Sequence, residues 1–326
     1  MPQLKVVVTD HVFESFTTEE QILGDIGAEL QVLQCRSASE LIPHVAGAHG
    51  LLNTYMPGID AKVYDAAPEL KAVVRYGIGL DTIDIAAATE RGIVVANVPD
   101  YCINEVADHA LAHFLALARK LRLSDAKVRA GEWSLSYLKP LKAIRTMRAG
   151  IVGFGRIGRA IAERLAPFGP EIVYYDPMIG GEIDGARRVC LEELWGTCHA
   201  IFVQCPATPE TRHLLGREAF EQMKQQPVII NCARGEIVDT DALVWALQTG
   251  KASGAGLDLL EDEDAVVTHD HPLKGFDNVI LTPHSAWFSD VAIPNLQRRA
   301  AEEMARILTG QRPTSLVNPE AYGQTG

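Results

Sequence analysis

The stretch IVGFGRIGRAIAERLAPFG, residues 151 to 169, decides how the rest of the chain is read. Its first residues are apolar and strand-like, and its last follow an amphipathic helical period. Between them Gly153, Gly155 and Gly158 form GxGxxG. At a strand-to-helix turn the first glycine permits a tight turn and the second lets a pyrophosphate approach the backbone. The third allows close packing of helix on strand. Phosphates would rest on the helix N-terminus, where backbone N–H groups lack partners. Glycines at such turns often serve packing alone, so the motif by itself is weak. The next apolar run, EIVYYD, ends in Asp176, 23 residues after Gly153, placed to take adenosine ribose hydroxyls. Together the two features predict a dinucleotide-binding unit.

Apolar runs alternate with helical patterns on both sides of this stretch. LKVVVTD, ELQVLQC, HGLLNTY, LKAVVRYG and GIVVANVP precede it, and AIFVQC, VIINCA, ASGAGLD and NVILTPH follow. Runs without a polar face, separated by amphipathic segments, predict parallel sheets covered on both sides. A long helix is expected from about Ile103 to Leu123, then a more polar arm from Ser124 to Arg148. The alternation restarts near residue 148, which marks a second α/β unit. A last helix is expected from about Asp290 to Leu308, with Pro294 in its first turn.

The chain has 326 residues, more than one ordinary core holds, which again predicts two domains. No apolar run reaches the length of a membrane span, and MPQLKVVVTD carries no signal-peptide pattern. Six cysteines are scattered without CxxC or Cys–His metal spacing, which predicts reduced thiols in a cytoplasm. His109 and His113 stand four apart on a helix without a third ligand nearby in sequence, so no metal is expected. His269 and His271 read as loop residues. A net charge of −12 argues against bulk nucleic-acid binding, so any bound anion must be held by local features.

One such feature is Arg234, delivered by the strand VIIN. A permanent charge at the end of a buried strand is costly unless something anionic answers it. Ligands of open parallel sheets bind outside the carboxyl ends of the strands, and two further runs end there in reactive groups. ASGAGLDLLEDED supplies Asp258 and an acidic run, and NVILTPHSAW supplies His284. Singly, each has an ordinary reading: a solvated arginine, a polar loop, a packing histidine. Jointly, downstream of a dinucleotide fingerprint, they are the minimum for hydride transfer with an acid/base partner.

Over nearly its whole length the sequence resembles the D-isomer-specific 2-hydroxyacid dehydrogenases. The pattern is carried by RYGIGLDTIDIAAATERGIVVANVP, VGFGRIGRAIAERLAPFG, NCARGEIVDTDAL, SGAGLDLLEDED and ILTPHSAW. NEVADHAL, PHSAWFSD and LTGQRPTSLVN are similar to the branch containing the C-terminal-binding proteins. The resemblance implies a Rossmann NAD domain, residues 102–288, inserted into a flavodoxin-like substrate domain, residues 1–101 and 289–326. It makes Arg234 the substrate-orienting cation, Glu263 the acidic partner and His284 the acid/base. It assigns NAD contacts to Gly153, Gly155, Arg156, Ile157, Gly158, Asp176, Cys205, Pro206, Cys232, Ala233, Arg234, Asp258 and His284. Backbone amides of Tyr76, Gly77, Ile78 and Gly79 would hold the substrate carboxylate. The acidic motif LLEDED lacks the aromatic and proline that commonly flank the family's glutamate, so choosing Glu263 over Glu261 rests on spacing. Formate dehydrogenases of the same superfamily carry glutamine there, which counts against that chemistry.

The expected reaction is hydride transfer between NADH and C2 of a 2-keto acid, in a homodimer. Trp287 reads either as a pocket wall facing Tyr55 and Met56 or as a packing tryptophan. A phosphoglycerate substrate ranks lower, because LLNTYMPG offers no Arg or Lys for a phosphate. The competing class is a dinucleotide-sensing scaffold, which would need none of the Arg–Glu–His set.

Overall fold

The computed structural model describes residues 4–261 and 271–322. The chain divides into two compact units, Met1–Tyr101 with Ser289–Gly326 and Cys102–Phe288.

In the first unit the valine- and leucine-rich runs form β1 (Leu4–Val8), β2 (Ala28–Val32), β3 (Gly50–Asn53), β4 (Ala72–Arg75) and β5 (Val94–Ala96). All pair in parallel in the order β2-β1-β3-β4-β5, the flavodoxin-like order. β3, β4 and β5 are buried along their whole length, as strands covered on both faces must be. The helix Ala292–Leu308 belongs to this unit and carries Pro294 in its first turn, where no backbone donor is lost.

The second unit holds β6 (Arg148–Val152), β7 (Glu171–Tyr175), β8 (Glu182–Ile183), β9 (Ala186–Arg188), β10 (Ala200–Val203), β11 (Val228–Asn231), β12 (Gly254–Leu257) and β13 (Val279–Leu281). Their order is β13-β12-β11-β10-β6-β7-β9-β8, parallel except for the β8–β9 pair. From β6 the chain first builds outward through β7 and later returns to β10 on the other side. That reversal is a topological switch point, where a doubly wound sheet opens a crevice at its carboxyl edge.

Two local features differ from the sequence expectation. The helix foreseen to Leu123 stops at Ala118, because Lys120 is left-handed at φ 51°, and a second helix runs Leu121–Arg129. The β8–β9 hairpin, joined by Asp184 and Gly185 at positive φ, went unforeseen because its strands are two and three residues long. No helix among the described residues is long and apolar enough to cross a membrane.

Candidate active site

Strand register places the candidate residues on one edge of the second unit's sheet. Tyr175, Val152, Val203, Asn231, Leu257 and Leu281 lie side by side across β7, β6, β10, β11, β12 and β13. The residues that follow them are Asp176, Gly153, Gln204, Cys232, Asp258 and Thr282. Four of these six were expected from sequence to meet the dinucleotide, and Gln204 and Thr282 were not.

The glycine turn fits a pyrophosphate. A Cβ on Gly153, at φ 91°, would stand 2.6 Å from Cys205 N and from the carbonyl of Gln204, so β6 and β10 meet here with no room for a side chain. A Cβ on Gly158 would lie 2.3 Å from Gly153 O, which is the close helix–strand approach. A Cβ on Gly155 would meet nothing within 4 Å, so the backbone faces open space there. Gly155 caps the helix Arg156–Leu165 without a side-chain hydrogen bond, leaving N-terminal amides for an anion. Gly155 and Arg156 are exposed and Ile157 is half-buried. Asp176 Oδ2 accepts Phe154 N–H at 2.8 Å, and its Oδ1 accepts Met178 and Ile179 N–H at 2.8 and 3.0 Å. A carboxylate has about four acceptor sites, so a ribose hydroxyl would join a carboxylate that already shapes the loop.

Cys205 is half-buried beside exposed Pro206, and Cys232 is buried. Burial pushes the Cys205 thiol up to about 11 and raises Cys232 well above its ordinary value. Neither is a thiolate nucleophile near neutral pH. They serve as small apolar neighbours on this edge.

Arg234 is positioned by a residue the sequence reading passed over. Asn231, fully buried, donates through Nδ2 to Arg234 O at 2.8 Å and accepts Ala233 N–H at 3.0 Å, so its side chain shapes the turn after β11. Gly235 must lack a side chain, since a Cβ there would lie 2.1 Å from the Leu260 carbonyl. The extension of β12 therefore runs against the arginine loop. Arg234 Nη1 donates to Ala233 O at 2.7 Å.

Asp258, 1% exposed, holds the His284 turn. Its Oδ1 accepts from Thr282 Oγ1 at 2.5 Å and from Ser285 N–H at 2.9 Å, its Oδ2 from Ala286 N–H at 2.8 Å, and its carbonyl from His284 N–H at 2.9 Å. His284 is left-handed at φ 51°, a costly conformation for a residue with a Cβ, and these bonds hold it there. The carboxylate expected to contact the dinucleotide thus also supports the His284 turn.

Glu263 lies outside the described residues. Glu261, the alternative acid, is occupied: its Oε1 accepts from His213 Nε2 at 2.6 Å and from Arg212 Nη2 at 3.2 Å. His271, read from sequence as a loop residue, is buried and caps a short 3-10 helix by accepting Leu273 N–H at 3.3 Å. Trp287 is 7% exposed and packs edge-on against Phe288 with ring centres 5.6 Å apart.

In the first unit, the loop after β4 narrows its expected role. Tyr76 N–H donates to Asn53 O and Gly77 N–H to Arg75 O, so neither amide is spare. Among the described residues, the amides of Ile78 and Gly79 make no backbone hydrogen bond. Asn97 Nδ2 fixes the Ile78 carbonyl at 2.8 Å. Beneath the loop lies Arg75, buried, donating to Tyr76 O, with its guanidinium 5.4 Å from the Tyr55 ring centre. Tyr55 is half-buried and Met56 exposed. Arg75 ends β4, so it carries the same strand-end charge signal as Arg234.

Residues 111–286 match the family model described as D-isomer specific 2-hydroxyacid dehydrogenase, NAD binding domain. A glyoxylate reductase of Korarchaeum cryptofilum is 36% identical over 293 residues, covering 87% of each chain. A D-3-phosphoglycerate dehydrogenase of Methanocaldococcus jannaschii is 35% identical over 97% of this chain, which spans 59% of that protein's length. The crystal structure of D-lactate dehydrogenase from Aquifex aeolicus, complexed with NAD and lactic acid, superposes with a TM-score of 0.87. It is 27% identical, over 96% of this chain and 99% of that one. This chain belongs to the D-isomer-specific 2-hydroxyacid dehydrogenase family.

Proposed function

We propose that the protein is an NAD-dependent D-2-hydroxyacid dehydrogenase that interconverts a 2-keto acid and its D-2-hydroxy acid. One observation carries the reading: strand register sets the glycine turn, the Arg234 loop and the Asp258-held His284 turn on one sheet edge. When bound, the nicotinamide supplies or accepts the hydride. Arg234 pairs with the substrate carboxylate and polarises the ketone as negative charge grows on oxygen. His284 protonates the developing alkoxide and acts as base in reverse. The family resemblance gives the acidic partner's role to Glu263, a carboxylate that would favour the imidazolium and keep its proton available near neutral pH. The engagement of Glu261 by His213 and Arg212 supports giving that role to Glu263. Ile78 and Gly79 offer their amides to the carboxylate, and the glycine loop with Asp176, Cys205, Pro206, Cys232, Ala233, Arg234, Asp258 and His284 lines the dinucleotide.

Trp287 is assigned to the wall for the substrate side group, favouring apolar keto acids over small, doubly charged ones. Unphosphorylated keto acids rank above phosphoglycerate, since LLNTYMPG offers no Arg or Lys for a phosphate. The proposed assembly is a homodimer. The proposed compartment is the cytoplasm, in keeping with six free cysteines. The test is purified protein with NADH and a panel of 2-keto acids, followed at the nicotinamide absorbance. Turnover on apolar keto acids is expected. Binding of NADH with no turnover on any of them would favour the scaffold reading that the C-terminal-binding-protein motifs suggest.

A further inference from the structure

We propose that His109 is a positioning residue for this reaction, acting through Thr282 and Asp258 on the turn that presents His284. The proposal rests on the dehydrogenase reading for its kinetic consequences and on the hydrogen bonds alone for its structural ones.

The direction of each bond follows from the donors available. Asp258 as a carboxylate only accepts, so the single proton of Thr282 Oγ1 points to Asp258 Oδ1 across 2.5 Å. The hydroxyl then offers lone pairs alone to its other neighbours. His109 Nε2, 2.9 Å from Thr282 Oγ1, must be the donor of that contact, which fixes its proton on Nε2. The same nitrogen is 3.5 Å from Asp258 Oδ1, so positive charge on His109 would be answered by the carboxylate. His113 Nε2 lies farther from the hydroxyl, at 3.4 Å, with its ring 4.6 Å from that of His109. Burial, and then the neighbouring His109, lower the His113 pKa to about 4, so near neutral pH His113 is an uncharged wall. It fits only because residue 256 is glycine, where a Cβ would stand 2.7 Å from His113 Cβ.

The chain of bonds runs from the helix Ile103–Ala118 through the ends of β13 and β12 to the amides of Ser285 and Ala286. His284, which precedes them, holds a left-handed conformation without the freedom of glycine. Asp258 restrains this turn through both carboxylate oxygens. Thr282 is the side chain that donates to that carboxylate, and His109 is what orients Thr282. Helical period alone would make His109 and His113 core-facing residues; the proton inventory gives His109 a directed contact.

Four variants test this: Thr282→Val, which is isosteric without the hydroxyl, Thr282→Ser, His109→Leu, and His109→Gln, whose amide can still donate. Thr282→Val is expected to lower kcat about tenfold or more with KM for NADH within about twofold, while Thr282→Ser stays within about threefold of wild type. His109→Leu should fall in the same direction and His109→Gln should recover most of the loss. The double variant Thr282→Val/His109→Leu should be no slower than Thr282→Val, because residues on one path are not additive. In parallel, histidine-labelled protein is titrated by NMR, where Thr282→Val and His109→Leu should shift the His284 imidazole titration relative to wild type. This arm needs no turnover, so a wild type inactive on every keto acid defeats the dehydrogenase reading while the network is still judged. Were Thr282→Val to misfold, the contrast of His109→Leu with His109→Gln carries the same decision. An unchanged His284 titration, or losses from the two single variants that multiply in the double, would overturn the proposal.

Discussion

The Asp176 carboxylate accepts the backbone N–H of Phe154 at 2.8 Å, tying the end of β7 to the turn between the first two glycines of the phosphate loop. The residue expected to choose the cofactor therefore also shapes the loop that holds it. NADH should be preferred over NADPH by at least tenfold, because a buried carboxylate repels a 2′-phosphate. Asp176→Ala should lose that preference and also destabilise the protein by about 1–3 kcal/mol, the scale for stranding buried donors. Competitive titrations and urea unfolding check both parts. Equal or better use of NADPH by wild type contradicts the assignment.

His284→Ala and Arg234→Ala should separate in their kinetics. Loss of an acid/base removes an interaction made in the transition state, so kcat falls by roughly 10²–10⁴-fold with little change in KM. Loss of Arg234 removes a charge used in both ground and transition states, so kcat falls by roughly 10²–10³-fold and KM rises. Steady-state kinetics of both variants decide it. Wild-type turnover by His284→Ala would remove that residue from the mechanism.

Most of both sheets was legible in the sequence because buried parallel strands write themselves as short apolar runs, as in AIFV and the first three residues of VIIN. The glycine turn was legible because a pyrophosphate and a helix contact constrain residue type at fixed spacing. The supports behind the site were not. Asn231 reads as the polar end of a strand, and only the fold turns its side chain back onto the Arg234 loop. Thr282 and His109 are 173 residues apart, a separation at which no periodicity links a donor to its acceptor. The helix break at Lys120 was equally hidden, since lysine is an ordinary helix former and only its φ of 51° marks the stop.

His113 makes stability depend on pH. Its folded pKa is lowered from 6.5 to about 4 by burial and by His109, so the folded state binds fewer protons than the unfolded one. Its contribution is therefore complete above pH 6.5 and is lost as pH falls toward 4. At pH 4.5, removing this group's titration should lessen acid destabilisation by about 2–3 kcal/mol. Urea unfolding of wild type and His113→Leu at pH 7 and 4.5 measures it. The difference between the proteins should shrink or reverse at the lower pH, and an identical difference at both would contradict the shift.

The segment from Leu121 to Leu135 should lie in a subunit interface. Leu121, Val128, Trp133 and Leu135 are all exposed, Trp133 at 89%, more apolar surface than a short arm leaves to water without a partner. Light scattering at micromolar concentration should give a dimer mass or higher. Trp133→Glu with Leu135→Glu should shift it toward monomer, and a monomeric wild type would refute the assignment.

The most direct measurement runs the reaction backwards, with NAD and matched D and L enantiomers of several 2-hydroxy acids, followed by NADH formation. Wild type should form NADH from D enantiomers and not from L, and His284→Ala should form it from neither at a comparable rate. NADH formation from the L enantiomers, or from none of the acids by a protein that binds NAD, would contradict the assignment of this site to D-2-hydroxyacid chemistry.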